Sequence, residues 1–339
     1  MTAKNGLNSF RKRNDIRIGL VGAGSVAAVY VEAAASLPGI AIRAVCDVRT
    51  DAAEALAQQA NAQSYNDYQT MFAVGELDAV VITSPHALHL PMAADAAAAG
   101  LHVLMEKPMA TTVADCRKMI QVCEDAGVRL AIGNLQRFVP TVAEAAATIR
   151  SGRLGRPLLI TERRAVRYDP ESRPAWFFDP ELAGGGIMMN IGGHSVDKAQ
   201  VLTGQQVVAV NARTWQRPGL AVETEASGVM ELSGGVQLTF SITSTGLPPQ
   251  DETEVICERG ALRLSHTDGL WLFQGDEPIL LRGRTGHDEI VTAFRDQLLD
   301  FTGSAPPRVS GDYGLSVVAA VQATYHSAAE LTLQRTEYR

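Results

Sequence analysis

A pair of glycines set between an apolar run and an alanine-rich one constrains this chain more than any other feature. Arg17-Ile18-Gly19-Leu20-Val21 reads as a strand, Gly22-Ala23-Gly24 as a sharp turn, and Ser25-Val26-Ala27 as the opening of a helix that stops at Pro38-Gly39. Gly22 and Gly24 fall where the chain must turn tightly and let a backbone or a pyrophosphate come closer than a Cβ would allow. The N–H groups at Ser25 and Val26, with the positive end of the helix dipole, then face that phosphate. A second apolar run, Ile40 to Cys46, closes on Asp47, about twenty residues further on, where a carboxylate accepts hydrogen bonds from ribose hydroxyls.

The alternation continues. Asp51 is positioned to cap a helix over 52–60, Asp78 to Pro85 reads as a buried strand stopped by proline, 88–99 as a helix, 101–105 as a strand, 112–126 as a helix and 129–134 as a strand. This predicts an α/β doubly wound parallel sheet of the Rossmann type over 16–136, preceded by a flexible tail over 1–15. From Phe138 the rhythm changes to long alternating strands joined by turns such as Ser233-Gly234-Gly235, ending in two helices over 287–301 and 312–333. Residues 137–339 therefore read as an α+β domain built on a mixed or antiparallel open sheet.

A length of 339 residues with 46% hydrophobic side chains supports two cores, and a net charge of −7 excludes a basic field for nucleic acid or an anionic membrane. The cluster Arg11-Lys12-Arg13 is too small to reverse that, and no apolar run is long enough to span a bilayer. Cys46, Cys116, Cys123 and Cys257 show no paired spacing and read as reduced core thiols of a cytoplasmic protein. No histidine or carboxylate spacing suggests a metal.

Ligands of open α/β sheets lie beyond the carboxyl ends of the strands, and Lys107, between Glu106 and Pro108, falls at such an end. An ammonium there can hold the oxygen of a substrate hydroxyl or carbonyl as charge develops on it. Thr83-Ser84-Pro85, with His86 and His89 behind it, lies at a second strand end. In the stretch Gly184 to Asp197, Asn190, His194 and Asp197 recur at spacings of four and three on one helical face; the histidine suits proton transfer near neutral pH and Asp197 suits a partner that holds the imidazole.

Taken together, Gly22-x-Gly24-x-x-Ala27, Asp47, Thr83-Ser84-Pro85 with His89, Glu106-Lys107-Pro108, Trp176 before Asp179-Pro180, Gly184 to Asp197, Leu202-Thr203-Gly204 and Val309 to Asp312 resemble the Gfo/Idh/MocA oxidoreductases. The resemblance implies an NAD-dependent enzyme, with NADP possible because Arg49 follows Asp47, that moves hydride to or from a secondary alcohol of a sugar, inositol or related polyol. It implies Lys107, His194 and, at the position that completes the family's site, Asn190 as catalytic residues. It implies cofactor contacts from Gly22, Gly24, Ser25, Val26, Asp47, Thr83, Ser84, Pro85, His89, Glu106, Lys107 and Gln136. It also implies substrate contacts from Arg164, Tyr168, Trp176, Asn190 and His194, and a homodimer or homotetramer. The family's usual aspartate four residues before the histidine is Asn190 here, which gives the site a hydrogen-bonding amide in place of a charge. Redox-neutral elimination or isomerisation with retained cofactor, and non-catalytic nucleotide sensing, are the alternatives on the same fold.

Overall fold

The computed structural model describes residues 10, 15–74, 76–244 and 248–337, so the expected tail, apart from Phe10 and Asp15, and Arg11-Lys12-Arg13 lie outside the described residues. The chain divides into two compact units. The first comprises residues up to Ala110, Ala114–Gly133 and Val291–Gly314; the second comprises Thr111–Val113, Asn134–Ile290 and Leu315–Arg339.

In the first unit, β1 (Ile16–Val21), α1 (Ser25–Ala35), β2 (Ile40–Cys46), α2 (Thr50–Ala60), β3 (Gln63–Tyr65), α3 (Tyr68–Val74), β4 (Ala79–Ile82), α4 (His89–Ala98), β5 (His102–Met105), α5 (Val113–Asp125) and β6 (Leu130–Ile132) alternate. The strands form one parallel sheet in the order β3-β2-β1-β4-β5-β6. Ala-Val-Val-Ile in β4 and His-Val-Leu-Met in β5 are buried throughout, as strands covered on both faces must be. The order reverses beside β1, which opens a crevice at the carboxyl ends of β1 and β4. The helix expected to be capped by Asp51 starts at Thr50 with Arg49 at its N-cap, so Asp51 sits inside the first turn, where its charge favours the dipole without capping it.

The free edge of β6 is covered by a distant segment. Ile132 N–H donates to Val309 C=O at 2.9 Å, and Ala131 bridges Ser310 in antiparallel register. Gln297, in α9 (His287–Thr302), reaches Tyr30 of α1, and Phe294 packs edge-on against the Tyr30 ring. Residues 291–314, read from sequence as part of the second domain, therefore complete the first unit's core.

The second unit contains α6 (Pro140–Arg150), β7 (Pro157–Val166), the short α7 (Pro180–Ala183), a π-helical turn Met188–Gly192 running into α8 (Gly193–Thr203), β8 (Val207–Trp215), β9 (Glu225–Leu232), β10 (Gln237–Ser244), β11 (Gln250–Cys257), β12 (Gly260–Ser265), β13 (Gly269–Phe273), β14 (Ile279–Arg282), most of α10 (Gly311–Glu330) and β15 (Gln334–Arg335). These strands form a nine-stranded mixed sheet in the order β14-β13-β12-β11-β7-β10-β9-β8-β15, in which only β7 and β10 pair in parallel. Along β10, Leu238, Phe240 and Ile242 are buried while Thr239, Ser241 and Thr243 are half-buried, the period of a sheet with one covered face.

Candidate functional site

In the first unit the strand ends converge as the glycine pattern requires. Gly22 has φ +98°, and a Cβ there would sit 2.6 Å from Thr83 Oγ1 and 3.0 Å from Thr83 O. Gly24 has ordinary extended backbone at the N-cap of α1, offers no side-chain cap, and a Cβ on it would meet no atom of the described residues within 4 Å. Neither backbone conformation nor internal packing accounts for Gly24. The space beside it leaves room at the first turn of α1 for a group from outside the chain. Asp47 ties the turn in place: its Oδ2 accepts from Ala23 N–H at 2.8 Å and its Oδ1 from Arg49 N–H at 2.9 Å. Val48 beside it is 89% exposed at the same strand end, an apolar surface on which a base can rest.

At the end of β4, Thr83 Oγ1 donates back to Val21 C=O, whereas Ser84 Oγ is buried with no hydrogen-bond partner among the described residues. Lys107 follows β5, half-buried, with its N–H donating to Glu106 Oε2 at 3.1 Å. Glu106 Oε1 in turn lies 2.8 Å from the Tyr30 hydroxyl, and a Cβ on Gly133 would strike the Glu106 carboxylate at 2.6 Å. Burial pushes the Glu106 carboxyl above its ordinary range, against the opposing pull of Lys107 and Tyr30.

One cofactor expectation is corrected here. His89 is fully buried, with Nδ1 3.0 Å from Pro108 O and Nε2 3.0 Å from Ser84 O, so neither ring nitrogen is left for a ligand. It joins the loops after β4 and β5 instead, and burial drives its pKa down to about 4. Glu106 is likewise enclosed, its Oε2 accepting from the Lys107 backbone N–H.

In the second unit the glycine run is explained by what crowds it. A Cβ on Gly185 would fall 2.1 Å from the Tyr325 hydroxyl, and one on Gly186 2.0 Å from Glu223 O. Glu223 accepts from Gly186 N–H and Met188 N–H at 2.9 Å each and from the Tyr325 hydroxyl at 2.8 Å, fixing the start of the π-helical turn. The wider π turn carries Asn190, buried, and leads into α8 with His194, half-buried. Asp197, expected to hold the imidazole, is completely buried, and its Oδ2 accepts from the Gln136 N–H at 3.1 Å. Gln136 thus belongs with the second unit.

Of the expected substrate residues, Tyr168 is a core side chain. It is 1% exposed, packs against Phe177 and Phe178, and donates its hydroxyl to Phe177 O, so it is withdrawn from any ligand. Trp176 is half-buried and stacks on Phe177 with ring centroids 3.9 Å apart. Arg164 belongs to a buried ionic cluster: its Nε donates to Glu162 Oε1 at 2.9 Å and its Nη2 lies 2.9 Å from Asp251 Oδ2. Lys198, one turn beyond His194, donates to Asp251 Oδ1 at 2.6 Å, Thr253 Oγ1 at 2.9 Å and Glu162 Oε1 at 3.4 Å. Burial would raise the Asp251 carboxyl, but Arg164 and Lys198 outweigh it and hold the group ionised within electrostatic reach of His194. Sequence reasoning passed over Glu162, Lys198 and Asp251. The available signal was a lysine on the inward stripe of a helix and a Glu-x-Arg on the inward face of a strand.

Residues 16–134 match the family described as oxidoreductase family, NAD-binding Rossmann fold, and residues 142–263 match the GFO/IDH/MocA C-terminal domain. D-xylose 1-dehydrogenase (NADP(+)) 2 of Haloferax volcanii is 30% identical over 78% of this chain and 82% of its own. The chain belongs to the Gfo/Idh/MocA oxidoreductases. Within this family, the rhizopine catabolism protein MocA of Rhizobium meliloti is 38% identical over 56% of this chain, and the match spans 58% of that relative's length. An aldose-aldose oxidoreductase from Caulobacter crescentus, solved with glycerol, superposes with a TM-score of 0.84 at 26% identity, covering 95% of this Gfo/Idh/MocA chain and 99% of its own. Among the described residues no helix is long and apolar enough to cross a membrane.

Proposed function

We propose that this protein is an NAD-dependent dehydrogenase of a sugar, inositol or related polyol, with Lys107 and His194 as its catalytic side chains. The observation that carries the reading is Lys107 itself. A half-buried lysine at the carboxyl end of a fully buried parallel strand, its backbone N–H held by a carboxylate that Tyr30 clamps and its charge acting on that carboxylate, is a constrained cation rather than a solvated surface charge. The open space at Gly24, the unsatisfied Ser84 hydroxyl and the Asp47 carboxylate fit a dinucleotide: pyrophosphate at Gly22 to Val26, ribose at Asp47. Asp47 favours NAD, with Arg49 as the feature that would tolerate NADP. When bound, the nicotinamide supplies the hydride acceptor or donor.

Lys107 donates to the substrate oxygen and stabilises the charge that grows on it, His194 takes the hydroxyl proton, and Asn190 orients a substrate hydroxyl through its amide. The relatives' sugar and polyol activities support the substrate class. We also infer a cytoplasmic homo-oligomer, a reading supported by four buried, unpaired cysteines and by a wide sheet with one partly exposed face, and checked by light scattering. For the chemistry, Lys107→Met is expected to lower turnover about 10²- to 10³-fold on a sugar or polyol that reduces NAD, measured at saturating NAD. Turnover at the wild-type rate removes Lys107 from the reaction.

A further inference from the structure

Beside the ionic cluster the second unit holds a half-open cleft. Asp251, Gln136, Ser265, His266 and Thr285 line it with polar groups, and Val139, Leu264 and Ile290 supply apolar wall. Lys198 also borders the cleft, but its three N–H donors are directed to Glu162, Asp251 and Thr253, and it is 5% exposed. The cation is therefore consumed internally. Asp251 is 33% exposed and keeps acceptor capacity beyond its contacts with Lys198 and Arg164. Around it stand hydroxyls that both donate and accept: Ser265, whose Oγ accepts from the Asp268 N–H at 3.3 Å and lies 3.1 Å from Thr267 Oγ1, and Thr285, paired to Thr141 at 2.7 Å, each with capacity for one further bond.

We propose that this cleft is a substrate subsite that binds the hydroxyls remote from the reacting carbon of a neutral polyhydroxylated ring, and that Asp251 makes it discriminate against sugar acids. This rests on the dehydrogenase reading above. A carboxylate or phosphate entering the cleft finds no lysine or arginine outside the ionic cluster among the lining residues and meets an ionised Asp251, whereas a hydroxyl donates to Asp251 and accepts from Ser265 or Thr285. Lys198 follows His194 by one helical turn, about 6 Å along the axis, which a single sugar or cyclitol ring bridges. The apolar wall formed by Val139, Leu264 and Ile290 suits the C–H face of such a ring.

The test is calorimetric binding of D-glucose, D-xylose, myo-inositol and D-glucuronate to the full chain with NADH present, which blocks alcohol turnover. At least one neutral compound is expected to bind at least about tenfold more tightly than D-glucuronate. Asp251→Asn is expected to reduce that preference, and Ser265→Ala, outside the ionic cluster, to weaken the neutral ligand about fivefold. D-glucuronate binding as tightly as every neutral compound, or Ser265→Ala and a folded Asp251→Asn leaving all affinities unchanged, overturns the subsite. NAD reduction is followed in parallel. Binding that responds to these variants without any NAD reduction overturns the dehydrogenase reading and leaves the subsite standing; NAD reduction with no response to the variants does the reverse.

Discussion

The two glycines of the first turn make opposite demands, and substituting each with alanine separates architecture from ligand. At Gly22 the backbone has φ +98°, which costs an L-residue about 1–2 kcal/mol, and the new methyl group would lie 3.0 Å from Thr83 O and 2.6 Å from its Oγ1. The Thr83 N–H is bonded to Val21 C=O and its hydroxyl to the same carbonyl, so neither can retreat cheaply, and the overpacking adds about 1–3 kcal/mol. Gly22→Ala is therefore expected to cost about 2–5 kcal/mol. At Gly24 φ is −84° and no described atom lies within 4 Å of the added Cβ, so Gly24→Ala should cost no more than about 1 kcal/mol, the ordinary penalty of alanine at an N-cap. Its cost should appear in NAD binding, where a methyl group in the pyrophosphate's path is expected to raise Kd at least about tenfold. Chemical denaturation and NAD titration of both variants check this. If Gly24→Ala binds NAD like wild type, the empty space at that position is not the cofactor's and the assignment of the turn fails.

His89 gives a stability signal with a defined sign. Its pKa falls from the ordinary 6.5 to about 4 in the fold, so between those values the unfolded chain binds the proton and the folded one does not. Stability should thus rise with pH through that window, and about 3 kcal/mol of it should be lost on acidification across it. Glu106 and Glu223, whose carboxyls burial holds high, contribute the opposite slope, so the difference between wild type and His89→Gln in urea midpoints from pH 4 to 7 isolates the histidine; an unchanged slope would refute the assignment. Asn190→Asp adds a carboxylate on the turn before His194, stabilising the imidazolium. The acidic limb of the pH–rate profile for alcohol oxidation should therefore move to higher pH, and coincident profiles would count against His194 as the base.

What the sequence disclosed follows the range of the forces involved. The parallel sheet was legible because β4 and β5 are short apolar runs bounded by turn residues, and the glycine turn because its conformational demand is local. The destination of residues 291–314 was not legible. An amphipathic helix announces an apolar face but not the sheet it covers, and the antiparallel bridge from Ala131 to Ser310 joins positions far apart in the chain. Asp251 escaped notice for the same reason: it meets Arg164 only through the register of β11 on β7. His89 was misread because a polar residue near a candidate site suggests exposure, whereas both its nitrogens face carbonyls inside the core. Asn190 and His194 read from sequence as one α-helical face, but a π turn carries Asn190 and widens the register between them, and it depends on Glu223 and Tyr325 from other elements.

The strand-like contact at Ser310 also bears on the order of synthesis. The parallel sheet's last edge, and the Gln297 partner of Tyr30, come from residues made after nearly the whole second unit has left the ribosome. The Rossmann unit therefore waits for most of the second unit to be translated before its own core closes. A gene fragment ending near residue 134 should yield a chain with an open β6 edge and a buried tyrosine lacking one of its partners, a poor candidate for independent folding and an unlikely module for transfer to another protein.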